Sequence, residues 1–291
     1  MIWLSKKRNI FLMLLPTVLL YAIYVYMPII ISFYYSLTKF SGIGKPKFIG
    51  VQNFERLYHD KYFWISLKNT LIILGVEILF LLPLAFLAAT LLNKPIKGVT
   101  TLKALNFSPM IIAPILVGLI FVFVLDPHLG FINTLLNKIG MGQLALPWIG
   151  GKTLSPYSIG IVHSWQTLGF IMTIFLAGLK MIPKDVYESS SIDGATPWQQ
   201  MRLITIPMLG ESVKISVVLI ITGVFKIFEI VIQLTGGGPN HLSETLVTYM
   251  YNMTFSNGQY GYGMSLAVVT FLLTILFSIS YLYMSKKSIN E

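Results

Sequence analysis

The feature that most restricts this 291-residue chain is a set of six apolar runs, each of about 20 residues or more. They are Asn9–Thr38, Asn69–Asn93, Ala104–Leu125, Ser158–Leu179, Ile215–Thr235 and Met264–Ser285. Formal charges enter only as Glu77 in the second run and as Lys226 and Glu229 in the fifth. A helix of about 20 apolar residues crosses the roughly 30 Å hydrocarbon layer of a bilayer. Charged residues make up 11% of the chain and hydrophobic residues 55%. Soluble domains carry about 25% charged residues, so this chain cannot cover a water-facing surface. The predicted fold class is an all-α integral membrane protein with six transmembrane helices.

Lysine and arginine fix an orientation. With the N-terminus inside, residues 1–8, 94–103, 180–214 and 286–291 hold twelve of them, and the longer outer loops 39–68, 126–157 and 236–263 hold eight. The positive-inside bias predicts both termini in the cytoplasm of a multi-pass membrane protein. The first outer loop runs against it, with Lys39, Lys45, Lys47, Arg56, Lys61 and Lys68. The basic start (Lys6, Lys7, Arg8) resembles that of a secretion signal, but the apolar run after it is too long and no small-residue cleavage site follows. It reads as a retained first helix. The net charge of +10 is spread in small groups beside the apolar runs, which argues against a nucleic-acid partner and for contact with lipid headgroups. No cysteine is present, so disulfide and thiolate chemistry are excluded. Pro16, Pro28, Pro83, Pro109 and Pro114 lie within apolar runs and predict either bent helices around a polar cavity or plain packing kinks.

The most informative polar stretch is the inner loop Ile182–Leu209, which reads as two short helices. Pro183 suits a helix start, with Asp185 in the positive first turn. Gly194 suits a left-handed helix end. Thr196 caps a second helix with Pro197 at its first position, Gln199 at the reciprocal capping-box position and Pro207 as its stop. Tyr187, Glu188, Trp198, Gln199 and Arg202 then face the cytoplasm, either as a docking surface or on lipid headgroups; aromatic and arginine side chains favour docking.

Glu188-Ser189-Ser190, Asp193-Gly194-Ala195 and Ile204-Thr205-Ile206-Pro207 match in spacing the EAA loop of ABC importer permeases. The departures are Ser-Ser for Ala-Ala and Ile206 for Leu. The resemblance implies the type I importer permease fold as one domain over residues 1–291. It further implies that Tyr187, Glu188, Ser189, Ser190, Asp193, Gly194 and Ala195 form a coupling helix seated in an ATPase subunit. Leu234-Thr235-Gly236-Gly237-Gly238-Pro239, Ser243-Glu244-Thr245-Leu246 and Tyr260-Gly261-Tyr262-Gly263 resemble signatures of the maltose- and raffinose-type carbohydrate permeases. On composition alone, the glycine-rich segment is a mobile turn that ends a helix. The resemblance implies import of a di- or oligosaccharide together with a second homologous permease, two ATP-binding subunits and an extracytoplasmic sugar-binding protein. ATP and Mg would sit on the ATPase subunits, with no cofactor or metal in this chain.

Within the spans, Lys226 and Glu229 are three residues apart and, on a continuous helix, share a face and can pair. A structural ion pair and a place in the substrate path both remain open, while Glu77 stands alone and faces a partner or a polar cavity. Sugar-binding chemistry suits Trp165, Gln166 and Thr167, and also Glu229, Gln233 and Asn252, although ordinary packing is the stronger explanation of such residues in membrane helices. Gly150-Gly151-Lys152-Thr153 lacks the first glycine of a phosphate-binding loop, since position 146 is Leu146. The four histidines have no metal-ligand spacing, and no clustered catalytic residues support an intramembrane enzyme. A secondary transporter or channel is the alternative, but it leaves the two-helix loop unexplained and no inverted repeat is visible.

Overall fold

The computed structural model describes residues 7–151 and 153–290. Lys6 and Lys152, and the side chains of Arg8 and Lys287, lie outside the described residues. Four helices are long and apolar enough to cross a membrane: Asn9–Ser36, Lys61–Leu92, Ser155–Met181 and Tyr260–Lys286. Two bent pairs, Val99–Ile111 with Pro114–Leu125 and Pro197–Met208 with Gly210–Val224, bring the number to six if each pair is one span.

Three helices share one local device. π-turns cover Ala22–Tyr26, Glu77–Leu81 and Met201–Thr205, and each is followed two residues later by a proline, Pro28, Pro83 and Pro207 respectively. Proline has no N–H, and its ring collides with the carbonyl four residues back. A wider turn moves that carbonyl away, and the helix continues. Pro207 therefore does not stop its helix as expected, because the π-turn before it carries the helix on to Met208.

The chain separates into two compact units. The first, Met1–Phe63 with Met250–Leu272, contains the first span, a short hairpin, the helix Gln52–His59 and the start of the last span. In the hairpin Thr38 pairs with Phe48 and Lys39 with Lys47. Buried Asn53 fastens it by donating to Ser36 O at 2.8 Å and Thr38 O at 2.9 Å. Gly261 N donates to Phe40 O at 3.0 Å, an approach that only a residue without a Cβ permits.

The second unit, Trp64–Tyr249 with Leu273–Glu291, is arranged around the central helix Ser155–Met181. Against this helix pack Leu82–Leu92 and Val99–Ile111, while Pro114–Leu125 packs on Glu229–Thr235. Lipid gives little hydrophobic drive between helices, so close van der Waals contact holds them and small residues mark the seams. At Gly169 a Cβ would fall 2.2 Å from Asn106 O.

One sequence expectation holds here and one fails. The third span bends, as its prolines led one to expect: it turns by 97° between Ile111 and Pro114, since proline disfavours helical geometry in the residue before it. The fifth run is not one helix. It stops at Val224 and resumes at Glu229, with Phe228 far from helical geometry (φ −134°, ψ −63°). Lys226 and Glu229 therefore do not share a helical face and cannot be treated as an i, i+3 pair.

Candidate functional site: a capped helix pair and a polar cavity between the spans

The loop between the fourth and fifth spans forms two helices, Lys184–Ile192 and Pro197–Gln200, the second continuing through a π-turn to Met208. Pro183 occupies the cap position before the first helix. Gly194 ends that helix with φ +81°, and Ala195 N reaches back to Ser190 O at 2.9 Å. Thr196 and Gln199 form the reciprocal capping box, with Gln199 Oε1 accepting from Thr196 N at 2.7 Å.

The two helices are also tied side to side. Tyr187 Oη and Thr205 Oγ1 share a hydrogen bond of 2.9 Å. Gln200 Nε2 donates to Ser190 Oγ at 3.0 Å and to Ser191 Oγ at 2.8 Å. Ser190 and Ser191 turn their own hydroxyl protons to Tyr187 O, which leaves their oxygens free to accept. A serine where the family has alanine thus becomes a cross-link between helices. Gln200 is a participant that the sequence reading missed; its position just after the capping box is the signal that could have exposed it. Ser189 Oγ only bonds back to Val186 O. Glu188 and Asp193 are exposed, and the apolar side chains Ile192 (86% exposed), Trp198 (72%) and Leu203 (68%) stand clear of the pair. A rigid, capped element that presents aromatic and aliphatic side chains beside a carboxylate has the make-up of an interface.

A second site lies among the spans of the same unit. A cavity of about 270 Å³ is lined by Glu77, Met110, His163, Thr167 and Lys226, among others. Glu77 is not alone: its buried carboxylate, 1% exposed, meets His163 Nδ1 at 2.5 Å. The contact joins a carboxylate oxygen to one ring nitrogen and leaves the other, Nε2, as a second polar atom of the ring. Glu77 opens the π-turn before Pro83, which re-aims its side chain relative to a regular helix. Lys226 reaches this cavity because the helix has ended two residues earlier. The site thus offers an imidazole, a lysine side chain and a hydroxyl within an apolar wall.

The expected sugar contacts are placed unevenly. Thr167 lines the cavity and donates to His163 O at 2.8 Å. Gln166 is buried and spends its amide on Ile112 O at 2.9 Å, satisfying a carbonyl freed by the bend in the third span. Trp165 packs edge-on against Phe121 at 5.2 Å. Gln233 packs on Gly118, where a Cβ would meet it at 2.6 Å. Glu229 is exposed at the start of its helix. Asn252 belongs to the other unit, in the π-turn Asn252–Ser256. Among the described residues, no group of three or more His, Asp or Glu side chains could hold a metal ion.

The glycine-rich segment is not the mobile turn that composition suggests. Asn69 Nδ2 donates to Leu242 O at 2.8 Å and to Glu244 O at 2.9 Å, and Leu246 N donates to Thr70 Oγ1 at 3.2 Å. Ser243, Glu244, Thr245 and Leu246 are all buried. Gly236 and Gly237 have φ of +58° and +81°, and a Cβ on Gly237 would lie 2.6 Å from Glu244 Cγ.

The profile of a family described as "binding-protein-dependent transport system inner membrane component" matches residues 81–289. The chain belongs to this family. Relatives over nearly the full length agree. A probable ABC transporter permease protein of Bacillus subtilis, YurN, is 33% identical over 92% of this chain and 93% of its own. A probable starch degradation products transport system permease protein of Thermoanaerobacterium thermosulfurigenes, AmyD, is 30% identical over 98% of each. A bacterial alginate ABC transporter crystallised with an alginate pentasaccharide-bound periplasmic protein matches with a TM-score of 0.84 at 23% identity, covering 98% of this chain and 96% of that one. This permease is therefore a multi-pass inner-membrane protein with the ABC importer fold. It works with a binding protein, and ATP hydrolysis falls to a separate subunit.

Proposed function

We propose that this permease forms half of the translocation path of an ATP-driven importer for a di- or oligosaccharide. Both termini face the cytoplasm, and the rest of the machine is a second homologous permease, two ATPase subunits that bind Mg-ATP, and an extracytoplasmic sugar-binding protein. The observation that carries the reading is the capped and cross-linked helix pair Lys184–Ile192 and Pro197–Met208, with Glu188, Ile192 and Trp198 exposed on it. This pair seats in an ATPase subunit, with Tyr187, Ser189, Ser190, Asp193, Gly194 and Ala195 shaping the contact. The second helix leads into Gly210–Val224 across a 61° bend, so displacement of the pair is passed to a span that lines the polar cavity. Closure of the ATPases moves the pair and with it the spans, alternating access to the path. The carbohydrate substrate is supported by the AmyD relative and by the chemistry of the cavity. The His163 imidazole, Lys226 and Thr167 beside an apolar wall suit polyol hydroxyls on a sugar ring.

The test is co-purification with the encoded ATPase, followed by sugar uptake. Glu188→Lys in the tagged permease is expected to abolish recovery of the ATPase and ATP-dependent uptake, while the permease still inserts. Recovery of a stoichiometric ATPase with that variant, or uptake driven by an ion gradient after ATP depletion, overturns the proposal.

A further inference from the structure

Four of the six cations that break the charge bias of the first outer loop come together in space. Lys39, Lys45, Lys47 and Arg56 gather around one cavity of about 410 Å³ within the first compact unit, with Gln259 and Tyr262 on its far wall. Among the described residues lining it, none is acidic. Lys39 and Lys47 are directly opposed across the hairpin, and like charges in that register repel. The Arg56 guanidinium lies 4.1 Å from the centre of the Tyr262 ring. Tyr262 in turn donates its hydroxyl to the Asp60 carboxylate, so ring and guanidinium are both held in place. Gln259 Oε1 is buried with no hydrogen-bond partner. The cavity is therefore a preformed concentration of positive charge with an acceptor left over beside it.

Its place along the chain identifies the ligand. The first span ends at Ser36, three residues before Lys39, and the last span starts at Tyr260, between Gln259 and Tyr262. The first span has 28 residues, about 42 Å at 1.5 Å per residue, which matches the 40–45 Å bilayer with its headgroup regions. The cavity thus opens at headgroup level. Tyr35, Phe40 and Tyr260 form a chain of ring contacts there, as aromatic residues do at membrane interfaces. Ile43 at the hairpin tip, 88% exposed, and Phe48 add apolar contact for the acyl boundary.

We infer that this cavity is a binding site for the phosphate headgroup of an anionic phospholipid. The lysines and Arg56 hold the phosphate, and Gln259 Oε1 accepts a headgroup hydroxyl, such as those of phosphatidylglycerol. The inference needs only that the chain crosses the membrane, which its family establishes. In the orientation proposed above, the lipid belongs to the outer leaflet. A bound anion offsets the Lys39–Lys47 repulsion and pins the first span to the last within this unit.

Native mass spectrometry of the purified transporter, titrated with phosphatidylglycerol, phosphatidylcholine, phosphatidic acid or inorganic phosphate, tests this. The wild type is expected to retain phosphatidylglycerol at least about tenfold better than phosphatidylcholine, and millimolar inorganic phosphate does not displace it. Each lysine near a charged surface contributes about fivefold, so K39Q/K45Q/K47Q is expected to bind phosphatidylglycerol about a hundredfold more weakly. Gln259→Leu keeps the cations and is expected to erase the preference for phosphatidylglycerol over phosphatidic acid. Equal retention of phosphatidylcholine, or displacement by inorganic phosphate, overturns the inference. So does a triple-lysine variant that keeps its lipid but no longer answers to the sugar-binding protein. In that last case the cations serve an acidic protein surface instead.

Discussion

The Glu77–His163 pair permits a quantitative test, because both partners lie in spans and one is almost wholly shielded. Replacing His163 by Leu removes the donor that meets Glu77 Oε1 at 2.5 Å and leaves a carboxyl group 1% exposed without it. Breaking a buried pair from one side costs about 3–5 kcal/mol, whereas replacing both partners by apolar residues of similar volume is close to neutral. For a chain of this size about 1 kcal/mol corresponds to about 2–4 °C in Tm. His163→Leu is therefore expected to lower Tm by about 6–20 °C. Glu77→Leu leaves an imidazole that is 15% exposed and borders the cavity, so its cost is smaller, about 1–2 kcal/mol. The double variant is expected to recover most of the loss, with a coupling of about 2 kcal/mol or more. Thermal unfolding of the purified permease in detergent, followed by fluorescence size-exclusion, provides the four Tm values. If the two single losses simply add in the double variant, the pair is not coupled, and the account of why a carboxylate is tolerated there is wrong.

Two further outcomes follow from single contacts. Asn69→Leu strips the donors from Leu242 O and Glu244 O. It is expected to cost about 2 kcal/mol and to open residues 236–245 to proteolysis; an unchanged digestion pattern would show that the loop is held by other means. Asp126, in the loop after the third span, accepts from Leu129 N and then His128 N, and these bonds hold its carboxyl below the ordinary aspartate value. Its contribution to stability is thus present above the unfolded value and is lost as pH falls through the lower folded one. Asp126→Asn is expected to flatten Tm against pH below about pH 4, and an acid limb identical to that of the wild type would remove Asp126 as its source.

The spans were legible because lipid imposes one solution on an apolar run of sufficient length, whatever its neighbours. The helix pair was legible too. Pro183, Gly194, Thr196 and Gln199 act through backbone groups a few residues away, and local rules suffice for them. The cavity was not legible. Glu77 and His163 are 86 positions apart, and no periodicity within either span indicates that one faces the other. Lys226 and Glu229 misled for a related reason. Their spacing implies a shared face only on an unbroken helix, and the break at residues 225–228 carries neither proline nor glycine. Asn69 likewise sits on an ordinary helical turn and has its role only because the loop 173 residues later returns to it.

The prolines show how bending is reconciled with lipid. A proline in a span frees a carbonyl that water cannot reach, so each kink needs either a substitute donor or a changed helical pitch. Both solutions occur here. Gln166 supplies a donor to Ile112 O where the third span folds by 97°, and π-turns precede Pro28, Pro83 and Pro207. The second solution leaves side chains free, and at Glu77 the freed side chain is the one that meets His163. It also lies within the helix proposed to receive force from the ATPase, between Pro197 and the 61° bend. On that proposal, the π-turn Met201–Thr205 is the place where a change of pitch is expected, with the capping box at Thr196 left intact.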